Sequence, residues 1–203
     1  PVACSHSDEA LTAGFPPILG KTANVLILGS LPSRRSIECN QYYGHPRNAF
    51  WPVMGALFGA APSLPYETRV QMLVDHQVAV WDVLAASIRP GSMDAAIDTG
   101  SARPNDFATL FAGQPGIRAV FFNGQAAAKL FARLVAPTLE NGSNRRKYQA
   151  LPSTSPAHAA MRIEQKIEAW RCVATAANNK QGERNDRLRH AWHQRLLSGD
   201  EVL

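Results

Sequence analysis

The chain has 203 residues, 45% of them hydrophobic, and a formal net charge of +5. That length suits one domain with a sizeable core, and no apolar run reaches the 18 residues of a membrane span. The basic balance suits a polyanionic partner such as nucleic acid.

Residues 1–14 carry no charged-then-apolar signal pattern, so a cytoplasmic location, nucleoid-associated through DNA, is expected. The run "NVLILGS" (24–30) reads as a buried strand ending in Gly. A long polar loop follows, "LPSRRSIECNQYYGHPRN", with no acidic residue at its head where a hydrolase would want one. Residues 49–58 have helical spacing, with Asn48 as N-cap, Gly59 as the stop and Pro52 in the first turn. A second helix is expected over 66–76 and a strand over 78–84, followed by a loop over 85–104 and a short helix from Asn105 to Phe111. A third strand (117–124), a helix (125–135) and a fourth strand near 146–151 come next. Ser155 as N-cap and Pro156 as N1 predict a long helix with Met161, Ile163, Ile167, Trp170 and Ala174 along one face. Beyond 177 the chain is polar, with one amphipathic helix or a frayed tail through Leu188, Ala191, Trp192 and Leu196.

Strands alternating with helices predict an α/β fold, a three-layer α/β/α sandwich around a mostly parallel four-stranded sheet in one domain over 1–177. Ligands in such sheets bind at the carboxyl ends of the strands. The segments Gly29–Trp51, Asn123 and Leu151–His158 all fall there and are expected to converge.

Several residues in these segments have two readings. Tyr42 covers the core or stacks; Tyr43, at the cleft mouth, suits a platform for a nucleobase. Asn48 is a helix cap or holds a water against an electrophilic carbon. Asn123 is a turn residue before Gly124, or its carboxamide reads a ring N–H beside a C=O, the edge that uracil and hypoxanthine present. His45 and His158 are structural or acid–base groups. Ser153 and Ser155 cap a helix or hold phosphate. Arg34, Arg35, Arg47, Arg145, Arg146 and Lys147 are a solvated charge run or a phosphate-contacting rim. Cys4, Cys39 and Cys172 stand far apart without a C-x-x-C pair, which argues for free thiols and against a zinc or iron–sulfur site. "GSLPSRRS" lacks the GxxxxGK[ST] pattern of a nucleotide-triphosphate loop.

"GSLPS…YYGHPRNAFW" followed by "LPSTSPAHA" resembles the uracil-DNA glycosylase superfamily over about residues 22–175. Within it the mismatch-specific uracil/thymine glycosylases and, more nearly, the hypoxanthine-DNA glycosylases are similar. Gly29-Ser30-Leu31-Pro32-Ser33 stands for the first motif, G-I-N-P-G in relatives. His45-Pro46-Arg47-Asn48-Ala49-Phe50-Trp51 matches H-P-x-N-x-F-W. Leu151-Pro152-Ser153-Thr154-Ser155-Pro156 stands for the second motif. Relatives keep a water-positioning Asn or Asp where this chain has Leu31, and an Asn or His where it has Leu151.

The resemblance implies a monofunctional DNA glycosylase that flips a deaminated base out of DNA and hydrolyses its N-glycosidic bond. Asn48 is then the catalytic residue; Ser30, Tyr43 and Asn123 bind the base; Ser33, Arg47, Ser153, Ser155 and His158 contact DNA. The family's intercalating Leu maps near Ser155. No metal or other cofactor is implied, and the expected state is a monomer acting on single- or double-stranded damaged DNA, away from membranes. Hypoxanthine is the first substrate expected and uracil or a mismatched base the second. A lesion-binding module without turnover and a small-molecule N-ribosidase are the alternatives.

Overall fold

The computed structural model describes residues 11–139 and 146–178. The elements run β1 (Leu11–Ala13), β2 (Val25–Gly29), α1 (Arg34–Cys39), α2 (Phe50–Phe58), α3 (Tyr66–Asp75), β3 (Val78–Asp82), β4 (Leu84–Ile88), β5 (Arg103–Pro104), α4 (Phe107–Gly113), β6 (Ala119–Asn123), α5 (Gln125–Leu134), β7 (Lys147–Leu151) and α6 (Ile163–Ala177). Four strands make a parallel sheet in the order β3-β2-β6-β7. Such a sheet needs cover on both faces, and the apolar residues split accordingly. Val25, Ile27, Val80 and Phe121 meet Phe50, Met54, Leu73 and Trp170 from α2, α3 and α6. Leu26, Leu28, Val120 and Phe122 meet Phe107, Leu110, Leu130 and Phe131 from α4 and α5. Fully burying a side chain such as Phe50 or Leu26 is worth about 1.5–3 kcal/mol, so each layer contributes many such increments.

The three-layer sandwich expected from the sequence is the one observed. Several local expectations are corrected. The strand expected over 78–84 is two strands, parted at Val83; residues 85–104 are not a plain loop but carry β4 and β5, which pair with β1 in a small antiparallel sheet. The polar loop after β2 contains α1, capped by Ser33, whose hydroxyl accepts the Ser36 N–H at 3.2 Å. The short helix near 105 is capped by Asp106 rather than Asn105 and runs to Gly113. Ser155 and Pro156 open only a three-residue 3-10 turn; α6 begins at Ile163, with Arg162 as its N-cap. Its buried stripe is Lys166, Trp170, Val173 and Ala177, so Met161 lies outside the helix and is 37% exposed. The expected tail helix and Cys4 lie outside the described residues; Cys39 and Cys172 are free thiols. No helix among the described residues is long and apolar enough to cross a membrane.

Candidate active site at the strand ends

The carboxyl ends of the four parallel strands form one row. Gly29 pairs with Asp82, Leu28 with Phe122, and Asn123 with Leu151. In-register residues of parallel strands point to the same face, so Asp82, Gly29, Asn123 and Leu151 lie side by side on the α2/α6 face. Glycine is required in that row by space. A Cβ on Gly29 would sit 2.3 Å from Asp82 Oδ1 and 3.0 Å from the Tyr43 hydroxyl.

Tyr43 fills this gap. Its backbone takes a left-handed φ of 54°, uncommon for a non-Gly residue, and its ring stacks on Phe50 at 3.9 Å and 22°. Phe50 is in turn met edge-on by Trp51 and Trp170. One face of Tyr43 is therefore backed by three further aromatic rings. Burial raises the affinity of its hydroxyl for the proton, with Asp82 adding to the rise; the nearby Asn123 carboxamide offsets part of it without meeting hydrogen-bond geometry. Tyr42 takes the core reading: it is buried, its hydroxyl donates to Pro16 O at 3.2 Å, and its carbonyl accepts the Trp51 indole N–H at 2.9 Å.

A buried acid, Asp82, stands beside the loop on the neighbouring strand. It is 4% exposed, and its Oδ2 and the Tyr43 hydroxyl have no hydrogen-bond partner among the described residues. Burial pushes its carboxyl up to about 7; Arg89 opposes the shift and Asp94 adds to it. A carboxylic acid in a dry pocket keeps its proton because ionisation there is costly. Sequence reading missed Asp82. The signal was a carboxylate closing the apolar run of β3, a place where a charged group needs a reason.

The first motif is braced from outside. The buried Arg89 guanidinium donates to Leu31 O at 3.1 Å and to Pro32 O. The Ser30 hydroxyl donates to Asp94 at 2.5 Å, and Arg34 N–H donates to Ser92 at 3.1 Å. Arg89 and Asp94, both missed in the sequence, hold this loop from the segment after β4. Asn48 does not cap α2 as its N-cap, which is Ala49. Its Oδ1 instead accepts the Phe50 N–H at 2.9 Å, two residues on. That bond fixes the carboxamide and leaves its NH2 group and one lone pair of Oδ1 unspent. His45 Nδ1 accepts the Arg47 N–H at 3.1 Å, a local turn bond.

The second motif is tied to the sheet by Asn123. Asn123 Oδ1 accepts the Thr154 N–H at 2.8 Å, and its Nδ2 donates to the Thr154 hydroxyl at 2.8 Å. A backbone N–H can only donate, so Thr154 sets which end of the carboxamide is oxygen. One N–H and one lone pair of Asn123 remain. Thr154 O accepts the Ala49 N–H at 2.9 Å, joining the two motifs one residue from Asn48. Ser153 accepts the Ser155 N–H, and Ser155 accepts the Ala157 N–H, so both serines act as local caps with their own O–H still free to donate.

Leu31 and Leu151 are 6% and 4% exposed, and pack into the clusters on opposite faces of the sheet. The three converging segments meet as expected, but the basic rim is smaller than expected. Lys147 begins β7, at the far end from Leu151, and Arg146 stacks on Phe111 at 4.0 Å. Arg35 pairs with Glu38 at 3.2 Å. Arg145 lies outside the described residues; Arg34, exposed at the start of α1, and Arg47, exposed beside the second motif, remain on the rim.

The family model described as "Uracil DNA glycosylase superfamily" matches residues 16–174. Two curated relatives are named hypoxanthine DNA glycosylase. One, from Methanosarcina acetivorans, is 36% identical over 161 residues, covering 79% of this chain and 96% of the relative. The other, from Methanosarcina barkeri, is 35% identical over 148 residues, covering 69% and 92%. The solution NMR structure of a candidate uracil DNA glycosylase from Methanosarcina acetivorans superposes with a TM-score of 0.68 at 32% identity, covering 84% of this chain and all of that one. Motif, strand-end geometry and relatives agree: the chain belongs to the uracil DNA glycosylase superfamily.

Proposed function

We propose that the protein is a monofunctional DNA glycosylase that removes hypoxanthine from DNA, leaving an abasic site for base excision repair. The observation that carries the choice of base is the Asn123–Thr154 pair. With its oxygen fixed by the Thr154 N–H, Asn123 offers an N–H to a base carbonyl and a lone pair to a ring N–H. Hypoxanthine and uracil present that edge; adenine and cytosine present a ring acceptor beside an amine, which would set donor against donor. The choice of hypoxanthine over uracil leans on the two relatives.

In this reading the flipped base stacks on the open face of Tyr43, its other face being held by Phe50. Flipping costs a few kcal/mol, least for a mispaired base. As the C1′–N bond lengthens, positive charge builds on the sugar and negative charge on the base. The spare Oδ1 lone pair of Asn48 accepts a hydrogen bond from the attacking water, aiming the water oxygen at C1′, and the proton that water releases ends on the departed base anion. The Asn123 N–H stabilises the base carbonyl as it gains charge. Asp82 favours departure while it is neutral, because an ionised carboxylate there would repel the leaving anion. Leu31 and Leu151 belong to the core and take no chemical part. The proposed reaction uses water rather than a Schiff base, so no strand cleavage is expected.

The test is incubation with labelled duplexes carrying hypoxanthine, uracil, xanthine or a G·T mismatch, followed by alkaline cleavage of abasic sites. Excision of hypoxanthine is expected. Tight lesion binding without product from any duplex would select a lesion-binding module, the reading that buried Leu31 and Leu151 favour. Cleavage of free inosine alone would select an N-ribosidase.

A further inference from the structure

The loop between β4 and β5 carries Met93, whose side chain is 66% exposed, more than any other large apolar residue among those described. A single exposed apolar side chain is ordinary, but the surroundings give this one a place and a direction. Both of its neighbours are tied to the first motif: the Ser92 hydroxyl accepts the Arg34 N–H at 3.1 Å, and Asp94 accepts the Ser30 hydroxyl at 2.5 Å. Met93 itself is extended, with φ −84° and ψ 133°, and in extended backbone successive side chains point to opposite sides. With Ser92 and Asp94 turned in to the motif, Met93 is turned out to solvent. Its carbonyl accepts the Ala96 N–H at 3.0 Å, closing the 3-10 turn Asp94–Ala96, and Arg89 grips Leu31 O a few residues upstream. A flexible side chain thus stands on a fixed footing. Ser30 adjoins Gly29, whose missing Cβ leaves room for Tyr43, so that footing is at the rim of the proposed base pocket. The approach is open: residues 90–95 are all exposed, and a Cβ on Gly91 would meet nothing within 4 Å. Residues 157–160 of the second-motif loop, Ala-His-Ala-Ala, are exposed too, but carry no large apolar side chain.

We propose that Met93 enters the duplex and fills the space left in the base stack when the damaged nucleotide turns out. A flipped base leaves a hole walled by two base faces, and an apolar side chain placed there replaces part of the lost stacking. The unbranched thioether chain adapts to such an irregular gap. The inference rests on the DNA-glycosylase reading. It puts the filling side chain on a segment outside both motifs, and not near Ser155, where the resemblance maps an intercalating Leu.

The experiment measures, by fluorescence anisotropy at low salt, binding to two duplexes of one sequence. One contains 2′-fluoro-deoxyinosine, whose fluorine resists glycosidic cleavage; the other is undamaged and offers no gap. Wild type, Met93→Ala, Met93→Leu, Met93→Gln and Met161→Ala are compared, with thermal melting of each free protein. Met93→Ala is expected to bind the damaged duplex about 10-fold more weakly, the scale of burying one such side chain. Its affinity for the undamaged duplex should stay within about twofold, and its melting temperature should not move, because the side chain is exposed. Met93→Leu should recover most of the affinity; Met93→Gln, of similar length but polar, should not. Met161→Ala should bind both duplexes as wild type does. Wild-type affinity of Met93→Ala for the damaged duplex would overturn the proposal. So would an equal loss on both duplexes, which marks a general DNA contact, or a selective loss in Met161→Ala alone, which moves the role to the second-motif loop. If wild type prefers the damaged duplex and excises hypoxanthine but Met93→Ala matches it, Met93 alone fails. If wild type shows neither preference nor excision, the glycosylase reading fails with it.

Discussion

The segment Gly29–Trp51 is fastened largely from outside, whereas Leu151–Met161 is fastened through its own backbone. In the first, Arg89 and Asp94 grip Leu31, Pro32 and Ser30, and Phe50 backs Tyr43. In the second, Thr154 is bound to Asn123, Pro152 O accepts the Trp170 indole N–H at 3.0 Å, and His158 O accepts Lys166. In the proposed function the first places a ring, a carboxamide and a buried acid next to where the bond would break. In the same proposal the second faces the DNA backbone. Damage to the first should therefore fall on the rate at saturation, and damage to the second on affinity and its salt dependence.

The largest effect is expected at Asn48. Asn48→Ala should lower the single-turnover rate on hypoxanthine DNA by about 100-fold or more, the scale of losing one group that acts on the reacting charge. Affinity should stay within about threefold by anisotropy. Next comes Asn123, which belongs to both regions. Asn123→Leu removes the base-reading amide and leaves the Thr154 N–H unpaired, a cost of about 1–3 kcal/mol. Both rate and melting temperature should fall, and a variant that loses only one would separate the two regions. Tyr43→Ala should weaken capture of the flipped base by about 1–3 kcal/mol, the worth of one base–aromatic stack, while Tyr43→Phe keeps most of it in a titration of rate against enzyme concentration.

The smallest effect concerns Asp82 and pH. Its folded-state value of about 7 lies above the ordinary aspartate range near 3.9. The folded protein therefore binds more protons than the unfolded chain between those values. Stability should fall as pH rises from about 4 to about 7 and level off above. The excision rate should also decline as pH rises through about 7, as Asp82 ionises beneath Tyr43. Asp82→Asn should flatten both profiles by a few-fold in rate, in melting and single-turnover series run side by side. A wild-type rate that stays flat across neutral pH would remove Asp82 from the chemistry.

The sequence carried the sheet well, because β2, β3, β6 and β7 are short apolar runs bounded by Gly, Asn or a loop. It carried less of the connections. α1 sits in a polar stretch without an apolar stripe, and the break at Val83 falls inside one continuous apolar run. Candidate residues could be named where motif and strand end coincide, at Tyr43, Asn48 and Asn123. It was not legible where function depends on register between strands distant in sequence. Asp82 joins the site only because β3 lies beside β2 in register with Gly29. Lys166 was not singled out, although it stands one turn before Trp170 on the buried stripe of α6.

In the proposed function Asn48 and Asn123 together give a hypoxanthine glycosylase without the usual polar residues at positions 31 and 151. The most direct measurement is a single-turnover time course with one differently labelled duplex of hypoxanthine and one of uracil in the same tube, for wild type and Asn48→Ala. Faster excision of hypoxanthine by wild type, and loss of that excision in Asn48→Ala, are expected. Equal hypoxanthine rates in the two proteins, or excision of uracil alone, would contradict it.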